Sequence, residues 1–118
     1  MISLIATVYN EADNIAQVMA TLRAQTRQPD EIIIVDGGST DNTVEVLGRY
    51  ADEMPLRVLV EPGCNISEGR NIAIQAAQGD ILAITDAGVR LEADWLATIT
   101  QPLRDDPALN VACGFFQA

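Results

Sequence analysis

Apolar and polar positions along this chain fall into blocks that switch between strand-like and helix-like spacing. Residues 2–8 read as a first, mainly apolar strand. Asn10 then stands where a helix N-cap is expected, with Asp13 three residues on in a capping-box-like position. Ile15, Val18, Met19 and Leu22 recur at helical spacing and mark the buried face of that helix. Gln28-Pro29-Asp30 breaks the pattern. Residues 31–35 form the second strand, and Ile32, Ile33, Ile34 and Val35 run without a polar break. Such a run fits a strand buried on both faces, as in a parallel sheet. It gives way to Asp36, Gly37, Gly38, Ser39 and Thr40, and then to a second helix with Val44, Leu47 and Ala51 on one face. Residues 56–60 read as a short third strand, ended by Glu61-Pro62-Gly63. Asn65, with Glu68 three residues later, opens a third helix whose Ala73, Ala76 and Ala77 suit close packing on a sheet. Gly79 reads as the C′ residue of that helix. A fourth strand covers 81–85. A fourth helix starts near Ala93, turns Trp95, Leu96, Ile99 and Leu103 inward, and stops at Asp106-Pro107. Residues 109–116 read as a last strand.

Alternation of this regularity predicts an α/β fold: a mainly parallel, Rossmann-like sheet with helices on both faces. The 118 residues are enough for one domain, and no linker, repeat or low-complexity segment divides them.

Composition narrows the partners. Seven arginines, no lysine and seventeen acids give a net charge of −10. That balance argues against a nucleic-acid backbone and against an anionic membrane surface. No apolar run reaches the length of a transmembrane segment, and no basic region precedes the first strand, so a cytoplasmic location is expected. Histidine is absent, which removes the commonest general base and metal ligand. Cys64 and Cys113 have no metal-ligand spacing and read as reduced, partly buried thiols.

The candidate chemistry follows from the topology. In a parallel sheet every carboxyl end lies on one edge, where open α/β sheets bind ligands. Asp36 and Asp86 each end an apolar strand beside glycine or alanine, and Tyr9 and Glu11 follow the end of another. The fold therefore gathers Tyr9, Glu11, Asp36 and Asp86 at one rim. Three carboxylates in one crevice repel one another unless a cation or hydrogen-bond donors join them. A divalent metal shared between an acid and substrate phosphates is a common solution. Arg70, early in the third helix, is placed to bring a fixed positive charge to the same rim. Structural alternatives stand beside these readings. Glu11 and Asp13 sit where a helix dipole favours acids anyway. Asp41 and Asn42 suit caps, and Arg70 has Glu68 or Glu61 within reach as surface partners. Neither GxGxxG after the first strand nor GxxxxGK[ST] occurs, so dinucleotide-binding dehydrogenases and P-loop enzymes fit poorly.

Three segments in register, SLIATVYNEADNI, EIIIVDGGSTDNT and SEGRNIAIQAAQGDILAITDAGVRLEADWL, resemble a family-two glycosyltransferase with a GT-A fold. The resemblance covers nearly the whole chain. It implies a nucleoside diphosphate sugar as partner, with Thr7, Tyr9, Glu11 and Asp36 in the roles of nucleotide-contacting residues. Arg70 of Gly69-Arg70-Asn71 then faces the diphosphate. Asp86-Ala87-Gly88 stands at the D-x-D motif, with Gly88 where the second acid is usual. Asp86 is left to hold the ribose or a divalent metal, magnesium or manganese, and the cation is expected to bind only with nucleotide. The resemblance also implies a truncated GT-A fold: the nucleotide-sugar-binding half of a catalytic domain, with no catalytic residue of its own and an unknown acceptor. Apolar surface at Phe115 and Phe116 is then expected to drive homo-oligomer formation.

Two rivals come from other classes. A phosphorylated receiver domain suits the length and the strand-end acids, but it needs a lysine that this chain lacks. A non-catalytic nucleotide-sugar-binding or assembly module that kept the fold remains the alternative.

Overall fold

A computed structural model describes residues 1–86 and 91–105 of the chain. Strands and helices alternate as β1 (Ile2–Val8), α1 (Ala12–Arg23), β2 (Glu31–Asp36), α2 (Thr43–Ala51), β3 (Leu56–Val60), α3 (Ile66–Ala76), β4 (Ile81–Ile84) and α4 (Trp95–Asp105). The strands form one parallel sheet in the order β3-β2-β1-β4. Ser3 lies opposite Glu31 and Val8 opposite Asp36, while Ile2 to Ile5 pair with Ile81 to Ile84.

The unbroken apolar run of β2 is explained by two cores. Leu4, Ala6, Val8, Ile32 and Ile34 pack with Ile15, Met19 and Leu22 of α1, Leu47 of α2, and Trp95 and Leu96 of α4. Ile5, Ile33 and Val35 point the other way and meet Ala73 of α3. Successive strand side chains alternate between faces, so a strand covered on both sides has no polar position to spare. The helices divide between the faces for a topological reason. From β1 to β3 the chain steps in one direction across the sheet; from β3 it returns past β2 and β1 to reach β4. Crossovers of a single hand then place α3 on the face opposite α1 and α2.

Small residues set how closely α3 sits. A Cβ on Gly69 would lie 2.9 Å from Thr7 Cγ2, so any larger residue would force either that side chain or the helix to shift. Gly79 corrects the expectation of a left-handed C′ residue, because Gly38 and Gly63 are the described glycines with positive φ. Its smallness serves a close approach instead: a Cβ there would lie 2.8 Å from Met1 O and 2.9 Å from Ser3 N.

The amino ends of the strands carry a buried polar network. The Glu31 carboxylate accepts from Ser3 Oγ at 2.6 Å and from Gln78 N at 2.5 Å, and Gly79 N donates to Ser3 Oγ at 2.9 Å. Glu31 is only 8% exposed, and these donors hold its carboxyl below the ordinary value. A lowered folded-state value means that the unfolded chain binds the proton more readily. The stabilisation is therefore present above about pH 4.5 and is lost as pH falls through the folded-state value. In thermal melts across pH 3 to 6, Glu31→Gln is expected to lose stability less steeply on acidification than the unaltered chain. Parallel slopes would remove Glu31 from this role.

Among the described residues no helix is long and apolar enough to cross a membrane. The strand expected at 109–116, with Phe115 and Phe116 and the association assigned to them, lies outside the described residues, as do Gly88 and Cys113.

Candidate functional site

The strand order reverses between β1 and β4, and the carboxyl end of a sheet opens into a crevice at such a point. A cleft of about 440 Å³ is found there, lined by Thr7, Val8, Tyr9, Glu11, Gly37, Cys64, Asn65, Ile66, Arg70 and Asp86. Thr7, Val8, Tyr9 and Glu11 come from the end of β1 and its loop, and Gly37 from the end of β2. Cys64, Asn65, Ile66 and Arg70 come from the β3–α3 connection and α3, and Asp86 follows β4. Five residues singled out from sequence, Thr7, Tyr9, Glu11, Arg70 and Asp86, are thus brought together from three parts of the chain.

Asp36 stands one layer behind them. It is fully buried as the last residue of β2. Its Oδ2 accepts from Gly38 N at 2.9 Å and Ser39 N at 2.8 Å, and its Oδ1 from Ser39 Oγ at 2.5 Å. The carboxylate thereby folds the glycine loop over itself and presents Gly37 at the cleft surface. Gly38 takes φ +94°, and a Cβ there would also meet Pro62 Cα at 3.0 Å, so the turn requires glycine.

The loops after β1 and β2 brace each other. Asn10 was expected to cap α1, but that position falls to Glu11, which makes no side-chain cap bond. Asn10 instead takes the left-handed conformation, φ 53°, which asparagine tolerates better than most residues. Its N–H donates to Ser39 Oγ at 2.8 Å, and its Oδ1 accepts from Thr40 N at 2.8 Å. Asp41 does act at helix starts, accepting from Thr43 N at 3.0 Å and Ala12 N at 3.3 Å. Asn42 occupies the α2 cap position without a side-chain bond. On the other wall, Asn65 and Glu68 form the expected reciprocal capping box of α3. Both walls are therefore fixed by local hydrogen bonds before any ligand arrives.

The electrostatics centre on one ion pair. Arg70 Nη2 lies 3.0 Å from Asp86 Oδ1, joining α3 to the end of β4 across the cleft. The surface partners anticipated for Arg70, Glu61 and Glu68, are not the ones it takes. Glu11 faces the same space, with Oε2 accepting from Asn14 Nδ2 at 2.8 Å. Arg70 is the one basic residue among the described lining residues, against two carboxylates. Burial, and then the Glu68, Glu61 and Asp36 carboxylates, push the Cys64 thiol above its ordinary value and disfavour its thiolate. Trp95 lies in the core, away from the cleft.

This arrangement suits binding. Carboxylates accept from hydroxyl or amide donors, the guanidinium grips an anionic group, and Tyr9 and Ile66 give apolar surface. Among the described residues no group of three His, Cys, Asp or Glu side chains could hold a metal ion. Asp86 fits a divalent cation only as one oxygen donor among others supplied by a bound ligand.

Sequence reasoning did not single out Val8, Gly37, Cys64, Asn65 or Ile66 as lining residues. The signal that finds Tyr9 also finds them, because each lies at or just past the carboxyl end of a parallel strand.

Comparison with known proteins gives a consistent result. The sequence model of a family described as "Glycosyl transferase family 2" matches residues 3–118. An uncharacterized glycosyltransferase of Escherichia coli K12, YibD, is 37% identical over 113 residues, covering 94% of this chain and 32% of the relative. The solved mannosyltransferase PcManGT of Pyrobaculum calidifontis, in complex with GDP-Man and Mn2+, superposes with a TM-score of 0.83 at 30% identity. That match covers 92% of this chain and 33% of the other. S. aureus TarS in complex with UDP-GlcNAc shares the fold, with a TM-score of 0.78 at 23% identity over 88% of this chain and 31% of the other. The chain thus spans about a third of the length of these relatives.

Proposed function

This chain belongs to glycosyl transferase family 2, and from that premise we propose that its cleft binds a nucleoside diphosphate sugar as the donor-holding part of a glycosyltransferase. The observation that carries the reading is the convergence of Thr7, Tyr9, Glu11, Arg70 and Asp86 on one cleft at the sheet's reversal point. PcManGT, solved with GDP-Man and Mn2+, supports a ligand of this class.

Each residue takes a role that its chemistry allows. Thr7, Tyr9 and Glu11 form the wall for the nucleoside, and Asp36 holds the Gly37–Ser39 loop in the shape that completes it. Arg70 grips the diphosphate. Asp86 accepts from a ribose hydroxyl or, with diphosphate oxygens, holds magnesium or manganese. In the transfer reaction an acceptor hydroxyl attacks the anomeric carbon and the diphosphate leaves. A cation held there would offset the charge that develops on the leaving group. Arg70 contributes to the same end, since a positioned positive charge stabilises that group most as it departs. No described residue is assigned as the base that takes the acceptor's proton. A non-catalytic binding module is the second reading, favoured by Gly88 at the place of an acid.

The test is calorimetric titration of the chain with uridine and guanosine diphosphates in the presence of manganese. One of them is expected to bind with a dissociation constant below about 1 mM. Absence of binding by both at millimolar concentration would overturn the reading.

A further inference from the structure

Among the described residues, the two most exposed large apolar side chains are Ile66, at 61%, and Tyr9, at 57%. Neither packs into the two cores, and both line the cleft. Single exposed apolar residues are common on protein surfaces. Two brought to one concave site from separate elements form a surface that a ligand can cover. Gly37 supplies the floor of that site. A Cβ there would lie 3.7 Å from Tyr9 Cδ2 and 3.2 Å from Cys64 O, two residues before Ile66. Gly37 is not among the glycines with positive φ, so its size rather than its conformation shapes the slot. Its N–H already donates to Val8 O at 3.0 Å, and its carbonyl accepts from Gly63 N at 3.1 Å. The floor is thus bare backbone with its donor in use, and it suits a flat group held by its faces.

Resting on the nucleotide reading given above, we propose that Ile66 is a specificity-determining residue that grips the nucleobase from the wall opposite Tyr9, over the floor left open by Gly37. Ile66 is the first residue of α3, and the Asn65–Glu68 capping box fixes the backbone on either side of it. Its β-branched side chain has few rotamers to lose on contact, so the apolar area it offers converts efficiently into affinity. Arg70 lies four residues on, on the same face of α3 and about 6 Å further along the helix axis. A ligand whose diphosphate meets Arg70 therefore has its nucleoside end alongside Ile66, with the ribose between. Face contacts accept any flat base and reject a ligand without one. The slot accordingly selects nucleotide over bare diphosphate, while hydrogen bonds elsewhere in the cleft choose among the bases.

Uridine and guanosine diphosphates are titrated into the unaltered chain, Ile66→Ala and Ile66→Leu, and inorganic pyrophosphate is then used to displace the bound nucleotide. Ile66→Ala is expected to bind the nucleotide about fivefold more weakly, having lost most of the apolar area on that wall. Its affinity for pyrophosphate, which has no base, is expected to stay within about twofold of the unaltered chain. Ile66→Leu restores the apolar bulk and should recover nucleotide affinity to within about twofold. The urea midpoint should not move in either variant, because Ile66 belongs to neither core. Unchanged nucleotide affinity in Ile66→Ala would overturn the grip while leaving the nucleotide reading intact. So would an equal loss for pyrophosphate, which would place the damage at the diphosphate, or an equal loss in Ile66→Leu. Failure of both nucleotides to bind the unaltered chain would overturn the nucleotide reading and the grip together.

Discussion

Replacing Asp36 with alanine is expected to remove about 2–4 kcal/mol of folding stability, a large share of the roughly 5–15 kcal/mol typical of a domain. The carboxylate is fully buried and accepts three hydrogen bonds, two of them from the backbone N–H groups of Gly38 and Ser39. Alanine leaves those part-buried donors facing a methyl group, and a donor left without its partner costs more than a bond lost at the surface. The glycine loop would lose its template as well, since Gly38 holds its positive φ beside Pro62. Ser39→Ala removes one bond and should cost about 1 kcal/mol. Urea unfolding gives the answer as a shift in midpoint at unchanged slope. A loss below 1 kcal/mol for Asp36→Ala would show that the carboxylate is not committed to the loop and is free to serve a ligand directly.

Replacing Arg70 with alanine is expected to weaken nucleoside diphosphate binding by about 1.5–3 kcal/mol, or roughly 10- to 150-fold. No other basic residue among the described lining residues can take over its contact with the anion. Stability should hardly change, because the Arg70–Asp86 pair is exposed and such pairs contribute little to folding. The combination of strong loss in binding and near-neutral folding separates a ligand contact from a structural one. Equal affinity in the variant would place the anion elsewhere on the protein.

The sequence carried the fold further than it carried the site. The run from Ile32 to Val35 fits a strand covered on both faces, and the two cores show why. The Asn65–Glu68 capping box was legible because both partners are local. Asn10 was misread for the opposite reason. Its side chain answers to Ser39 and Thr40, about thirty residues away, and nothing within its own segment reveals that. The same holds for Arg70: local spacing offers Glu68, whereas the fold offers Asp86 across the cleft. Asp36 was legible as a special acid, but its depth was not. Whether a strand's last residue lies inside the sheet or beyond it depends on how far the neighbouring strands extend. Here Asp36 pairs with Val8 on one side and Val60 on the other, and it is therefore buried.

The measurement that bears most directly on the central claim is amide chemical-shift mapping on addition of uridine or guanosine diphosphate with manganese replaced by magnesium, which leaves the spectrum readable. Saturable shifts are expected at Thr7, Tyr9, Glu11, Gly37, Asn65, Arg70 and Asp86, with the outer faces of α1 and α2 unmoved. Shifts confined to other surfaces, or no saturable shift with either nucleotide, would contradict the assignment of this cleft as the nucleotide-sugar site.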